Sequence, residues 1–237
     1  MGSKEFFEAA RKYRYEVYAP WLKEIINQID VRNKAVLEIG YGMGLDLLSL
    51  AQNHPRTLIG IDLVPKHLML ARKLFDCYGF SAEFFEMDAE SLNFAPGSID
   101  LVYSFGILHH TPNIEKAISN IYNVLKPGGQ AVIGLYHKNS WQYWVNIIFV
   151  QGFLGGKLLK MTVEELLSRV VEFSETDARP LVRVYSEKDC RILFREFSQI
   201  KIKKYHWRND QVIIVRRFPP AFLPSVFGWY IFSFVGK

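Results

Sequence analysis

Short apolar runs alternate with amphipathic segments between positions 36 and 136, and that alternation predicts the architecture. The runs at 36–39, 57–62, 82–87, 98–104 and 131–136 have the length and continuity of buried strands. Between them apolar positions recur at helical spacing: Leu45, Leu47, Leu48 and Ala51; Leu68, Ala71, Leu74 and Phe75; Ile114, Ile118, Ile121 and Leu125. Pro65 suits the first turn of the second of these helices and Gly79 its stop. Thr111 and Pro112 suit the N-cap and first position of the third, and Lys126-Pro127-Gly128-Gly129 ends it. Strands alternating with helices predict an α/β protein with a doubly wound, mostly parallel sheet.

The flanks follow other patterns. Positions 4–29 read as helical through Phe6, Ala10, Tyr13, Val17, Leu22, Ile25 and Ile29, with Pro20 splitting the stretch in two. The aromatic and apolar segment 141–154 is broken by Gln142, Asn146, Gln151 and Gly152. It reads as a lid over an apolar acceptor pocket, a helix packed on the core, or an interfacial segment, and the first two rank above the third. Thr162-Val163-Glu164-Glu165 fits a capping box, and Ser186-Glu187-Lys188-Asp189 marks another helix start. Ile200 to Lys203 alternate like a strand, and 229–235 reads as one more. The expected organisation is one domain: a helical cap at 1–30, a core at 31–140, a lid or insert at 141–185, and a C-terminal helix with strands at 186–237.

Length and composition narrow this picture little. The 237 residues suit one α/β domain with modest additions, and 49% hydrophobic with 22% charged residues is an ordinary globular balance. Cys77 and Cys190 lie far apart in helical patterns, which favours a reduced, cytoplasmic setting over a disulfide scaffold. The six histidines do not combine with them at zinc-ligand spacings, so no metal is expected. Positions 1–14 mix acids and bases with no apolar core of a secretory signal. Positions 218–236 carry no charge, but Pro219, Pro220, Pro224 and Gly228 interrupt them, so a loop and then a strand are expected there. A formal charge of +5 and 15% aromatics leave peripheral contact with a membrane surface open. No basic-aromatic patch points to a specific nucleic acid.

The chemistry concentrates at Glu38-Ile39-Gly40-Tyr41-Gly42-Met43-Gly44, where a strand turns into a helix. Glycines there let the backbone bend sharply and let a ligand approach the free N–H groups of the next helix. The spacing is Gly-x-Gly-x-Gly; a dinucleotide fingerprint would need its third glycine at Leu45 or Leu47. Glu38 would repel a pyrophosphate and welcome an ammonium group. Asp62, eighteen residues past Gly44 at the end of the second strand, lies where it can accept hydrogen bonds from both hydroxyls of a ribose.

At this motif the sequence resembles the class I S-adenosylmethionine-dependent methyltransferases, whose first motif is an acid followed by Gly-x-Gly-x-Gly. The resemblance runs from about 36 to 140. Asp100-Leu101-Val102, Leu108-His109-His110-Thr111-Pro112 and Val124-Leu125-Lys126-Pro127-Gly128-Gly129 look like the bacterial small-molecule branch related to quinone-biosynthesis enzymes. Tyr41 and Leu45 depart from residues usual in that branch.

The resemblance implies a seven-stranded sheet whose last strand is antiparallel, and S-adenosylmethionine as cofactor. It implies that Asp88 meets the adenine amino group and the Ala89 N–H a ring nitrogen. Tyr15 reaches toward the cofactor carboxylate, and Leu63, Ser104, Phe105 and His109 add contacts. His109 and His137 are the candidate bases for the acceptor's proton, with Tyr136, Arg183 and Tyr185 as acceptor contacts. In place of the (Asn/Asp)-Pro-Pro-aromatic motif of base-amino methylating enzymes the chain reads Tyr103-Ser104-Phe105-Gly106, and neither cysteine lies there. The expected activity is methyl transfer to an O, C or N atom of a small, apolar or aromatic acceptor. An RNA or protein acceptor and a non-catalytic cofactor-binding subunit are the alternatives.

Overall fold

Each of the five apolar runs becomes a strand, and every residue of the first is buried because helices cover both faces of the sheet. The computed structural model describes residues 2–171, 180–206 and 223–237. Strands β1 (Ala35–Ile39), β2 (Thr57–Asp62), β3 (Glu83–Glu86), β4 (Ile99–Phe105) and β5 (Leu125–Tyr136) run parallel. Strand β7 (Tyr230–Gly236) inserts antiparallel between β5 and β6 (Gln199–Tyr205). The order is β3-β2-β1-β4-β5-β7-β6, the seven-stranded arrangement expected.

Alternate side chains of these strands serve two cores. Val36, Leu101, Tyr103 and Phe232 face a layer containing α1 (Lys4–Lys12), α2 (Leu22–Asn27), α3 (Leu45–Ala51) and α4 (Pro65–Tyr78). Leu37, Ile39, Val102 and Ile133 face α5 (Ile114–Val124) and α7 (Glu187–Leu193). The helix α6 (Val163–Val170) joins the first layer through Leu166 and Leu167. Strand order reverses at β1, whose neighbours are β2 and β4, and that reversal opens a crevice at the carboxyl ends of the strands.

Three local expectations need correction. Thr111 and Pro112 do not start α5; Thr111 is extended, as residues before proline tend to be, and the Asn113 side chain caps the helix by accepting from the Lys116 N–H at 3.0 Å. The loop expected from 218 lies outside the described residues up to 222, and a short helix, α8 (Leu223–Phe227), follows before β7. Pro20 does separate two helices, but the end of the first widens over Tyr13–Tyr18, where the Ala19 N–H reaches back five residues to the Arg14 carbonyl at 2.8 Å. Both expected capping boxes, at Thr162 and Ser186, are present.

The wide turn sets Arg14 and Tyr15 against the first turn of α3. Asp46 is buried there and receives the Arg14 Nε at 2.6 Å, the Tyr15 hydroxyl at 2.7 Å and the Tyr103 hydroxyl at 3.1 Å. A helix N-terminus further favours this carboxylate. Removing the guanidinium strands a buried charge, so Arg14→Met is expected to lower unfolding free energy by about 3 kcal/mol. Adding Asp46→Asn, which keeps one acceptor oxygen and removes the stranded charge, should recover part of that loss. Urea unfolding of the single and double variants checks both; a single variant as stable as the parent chain would remove the pair from the account.

Candidate active site

The glycine turn is shaped by contacts on one side and left open on the other. A Cβ on Gly40 (φ 78°) would sit 2.1 Å from Ile107 Cγ1, so only glycine lets β1 end beneath the loop that follows β4. At Gly42 (φ 56°) an added Cβ would meet nothing within 4 Å, so open space lies above the turn.

Asp62 fixes the turn from below. Its Oδ2 accepts from the Gly42 N–H at 2.8 Å, and its Oδ1 accepts from the Val64 N–H at 2.9 Å and lies 3.0 Å from His67 Nδ1. Burial works against the charge, but the hydrogen bonds from His67, Val64 and Gly42 outweigh it and hold the carboxyl below its usual range.

Above the turn lies a cleft of about 360 Å³. Glu38, Gly40 and Gly42 line it together with the clustered rings of Phe105, Tyr136 and Tyr230, and Arg14 and Tyr18 come from the N-terminal segment. Trp21 backs the aromatic wall, its ring 5.6 Å from Phe105 and 5.3 Å from Tyr230 between centroids. The Tyr18 and Tyr230 hydroxyls share a hydrogen bond of 2.6 Å.

Glu38 is the anomaly of this cleft. It is buried, and its Oε2 has no hydrogen-bond partner in the protein. Burial first, and the neighbouring Asp46 second, push its carboxyl well above the usual range, against the pull of Arg14. Three buried carboxylates, Glu38, Asp46 and Asp62, thus surround a turn that Arg14 serves with one guanidinium. An ammonium or sulfonium in the cleft would meet an acceptor oxygen and offset charge; a phosphate would meet repulsion.

Several other residues singled out from the sequence lie around this cleft without lining it. Tyr15 is spent beneath α3, with its hydroxyl on the Leu45 carbonyl, Asp46 and Ser49. Gly44 is the left-handed N-cap of α3, and the buried Ser104 hydroxyl donates to the Ile39 carbonyl at 3.0 Å, tying β4 to β1. Leu63 is exposed just past Asp62. Asp88 is exposed and accepts from the Glu90 N–H at 2.8 Å, while Ala89 is buried.

His109 is wholly buried, both ring nitrogens lack partners, and its ring lies 3.9 Å from that of Tyr136 between centroids. Burial, then His110, hold it well below the usual imidazole range. His137 Nδ1 is committed to the Gly228 carbonyl at 2.9 Å, and burial lowers it against that bond. Arg183 and Tyr185 line a different cleft of about 540 Å³, between α5 and α7. Among the described residues no cluster of three or more His, Cys, Asp or Glu could hold a metal.

The polar run from Tyr13 to Tyr18 stands out in the sequence, and of it Arg14 and Tyr18 line the cleft where Tyr15 was the residue singled out. Sequence reasoning passed over Asp46, His67 and Tyr230. Asp46 did carry a signal, because an acid interrupting the apolar run from Leu45 to Leu50 demands a buried partner. His67 and Tyr230 depend on tertiary folding.

A methyltransferase-domain family model matches residues 36–129. The phthiotriol/phenolphthiotriol dimycocerosates methyltransferase of Mycobacterium leprae is 28% identical over 73% of this chain and 64% of its own length. The demethylmenaquinone methyltransferase of Thermus thermophilus is 34% identical over 42% of the chain and 46% of its own. The chain therefore spans less than two-thirds of the length of either relative. Among solved structures, an S-adenosylmethionine dependent methyltransferase from Mesorhizobium loti superposes with TM-score 0.62 at 15% identity, covering 92% of this chain and 98% of that one, a likeness of fold.

Glu38 offers a test that needs no acceptor. Its raised carboxyl means the folded state holds a proton that the unfolded chain releases near pH 4.5. This share of stability is complete below that pH and is lost as pH rises through the folded-state value. Glu38→Gln should remove the slope and, at neutral pH, stabilise the ligand-free chain by about 1–3 kcal/mol. That corresponds to a rise in Tm of roughly 2–4 °C per kcal/mol for a chain of this size. Thermal unfolding of both forms from pH 4 to 8 decides it, and parallel curves would contradict the reading.

Proposed function

Because this chain belongs to the class I S-adenosylmethionine-dependent methyltransferases, we propose that it moves a methyl group to a small acceptor with an apolar or aromatic body. The observation that carries the acceptor class is the cluster of Phe105, Tyr136 and Tyr230, with the Tyr230 ring 5.0 Å from Phe105 and 5.5 Å from Tyr136 between centroids, lining the same cleft as the glycine turn. Aromatic walls bind flat apolar groups by burial and ring contact. The relatives named for a dimycocerosate and for demethylmenaquinone point the same way.

S-adenosylmethionine, when bound, supplies a sulfonium-activated methyl group. In this reading the unpartnered Glu38 oxygen receives the ammonium of its amino-acid end, and Arg14 faces the carboxylate. Asp62 and His67 stand beside the ribose, with Asp88 and Ala89 toward the base. The chain's own work is alignment and exclusion of water. Phe105, Tyr136 and Tyr230 hold the acceptor, and Tyr18 and Trp21 brace that wall through the contacts described above. His109 acts as a positioning residue that supports the Tyr136 ring from behind, and His137 anchors the end of β5 to Gly228.

Methyl-labelled donor incubated with an aromatic hydroxy acceptor such as a naphthoquinol, a polar amine, bulk RNA and protein should label the apolar aromatic acceptor. Label passing to RNA or protein, with the apolar acceptor untouched, would overturn the acceptor class. Calorimetric binding of NAD with no response to S-adenosylmethionine would overturn the cofactor assignment. Tyr136→Leu is expected to raise the acceptor KM roughly tenfold while leaving donor Kd unchanged. Equal effects on both constants would move Tyr136 out of the acceptor site.

A further inference from the structure

The segment after β5 folds as a wide helix, Gln142–Leu154, that closes with the Gly155 N–H on the Val150 carbonyl five residues back at 2.9 Å. A short turn, Lys157–Leu159, follows it. One line of the helix packs inward through Tyr143, Ile147 and Gly152, all buried. An added Cβ on Gly152 would lie 2.7 Å from Leu158 Cδ1, so helix and turn are seated tightly against each other.

The outward line is apolar as well. Trp144 is 50% exposed, Phe149 51%, Phe153 71% and Leu154 64%, and Leu159 on the turn is 90% exposed. With more than four residues per turn, positions 144, 149 and 153 fall along one side, and the Phe149 and Phe153 rings stack 6.0 Å apart. Burial on the protein's own core does not account for this face, because the core side of the helix is already filled. From Lys116 to Val163 the sequence contains no Asp or Glu, and Lys157 and Lys160 stand on the turn that carries Leu159.

We propose that this outer face docks the protein on an anionic lipid surface, with Trp144, Phe149, Phe153, Leu154 and Leu159 entering the headgroup–acyl boundary. An acid-free, lysine-flanked apolar face rich in large rings has the composition that such an interface favours. A protein partner matched to the same lysines would need an acidic rim around an apolar centre; a bilayer carrying anionic lipid offers both at once. The contact is peripheral, since no helix among the described residues is long and apolar enough to cross a membrane. The helix leaves the sheet just past Tyr136, which lines the cleft, so docking brings a lipid-dissolved acceptor to the same end of the sheet.

The test uses the full chain and vesicles without donor or acceptor, so its failure leaves the methyl-transfer reading intact. Co-sedimentation with phosphatidylcholine vesicles should be weak, and replacing part of the lipid with phosphatidylglycerol should strengthen it in a salt-sensitive way. Phe149→Ser/Phe153→Ser/Leu159→Ser changes exposed side chains only. It should keep the parent circular dichroism and donor affinity while lowering vesicle partitioning roughly a hundredfold. Lys157→Gln/Lys160→Gln should weaken binding to anionic vesicles and leave the residual binding to neutral ones unchanged. No preference for anionic vesicles, or a folded triple variant that still binds them, would overturn the proposal. So would a concentration-dependent dimer of the parent chain that the triple variant abolishes, since a second copy would then cover this face.

Discussion

The hydrogen bonds from Asp62 to the turn between β1 and α3 are the constraint on which the rest of the site depends. Because the carboxylate at the end of β2 accepts from the Gly42 N–H at 2.8 Å, the turn holds its open shape without help from a ligand. Positive φ at Gly40, Gly42 and Gly44 makes that shape accessible, and the hydrogen bond selects it. A preformed turn spares a ligand the entropy of ordering the backbone on arrival. His67, bonded to the same carboxylate at the first turn of α4, extends the clamp from β2 to the next helix.

Electrostatics then decides what the turn accepts. Asp46 is satisfied by Arg14, Tyr15 and Tyr103, and Asp62 by two backbone N–H groups and His67, which leaves Glu38 as the carboxyl with an oxygen to spare. Arg14 does two jobs, pairing with Asp46 and lining the cleft, so the N-terminal segment is both a structural strap and a wall of the site. The widened helical turn at Tyr13–Tyr18 is what carries Arg14 and Tyr18 to the cleft and Tyr15 to the first turn of α3. The polar lining around Glu38 and the aromatic lining of Phe105, Tyr136 and Tyr230 therefore belong to one cavity built by distant parts of the chain.

The sheet was legible because its signals are local. Continuous apolar runs, helical spacing, Pro65, Gly79 and the two capping boxes all act within a few residues, and the order of elements followed from their alternation. Glu38, Gly40, Gly42 and Phe105 were legible as cleft residues for the same reason, since motif spacing fixes where a strand end points. Asn113 displaced Thr111 as a cap because Pro112 keeps its neighbour extended, a competition between two plausible signals. The polar run Tyr13–Tyr18 was legible as a segment, but which of its residues line the cleft was not, and Tyr230 was not legible at all. Both depend on packing between segments far apart in sequence: Tyr18 and Tyr230 meet across 212 positions. Nor did sequence distinguish which histidines open to the cleft: His67 lines it, whereas His109 is wholly buried with its ring against Tyr136.

The central claim is that a buried, unpartnered carboxyl reads the positive charge of the methyl donor. If Glu38 is largely protonated in the free protein and ionised opposite an ammonium group, binding must release a proton to the buffer. Calorimetric titration of S-adenosylmethionine near pH 6, repeated in buffers of widely different ionisation enthalpy, measures that release directly. The account predicts a binding enthalpy that tracks the buffer's ionisation enthalpy in the parent chain, and no such dependence in Glu38→Gln. Buffer-independent enthalpy in the parent chain, or the same dependence in both, would contradict it.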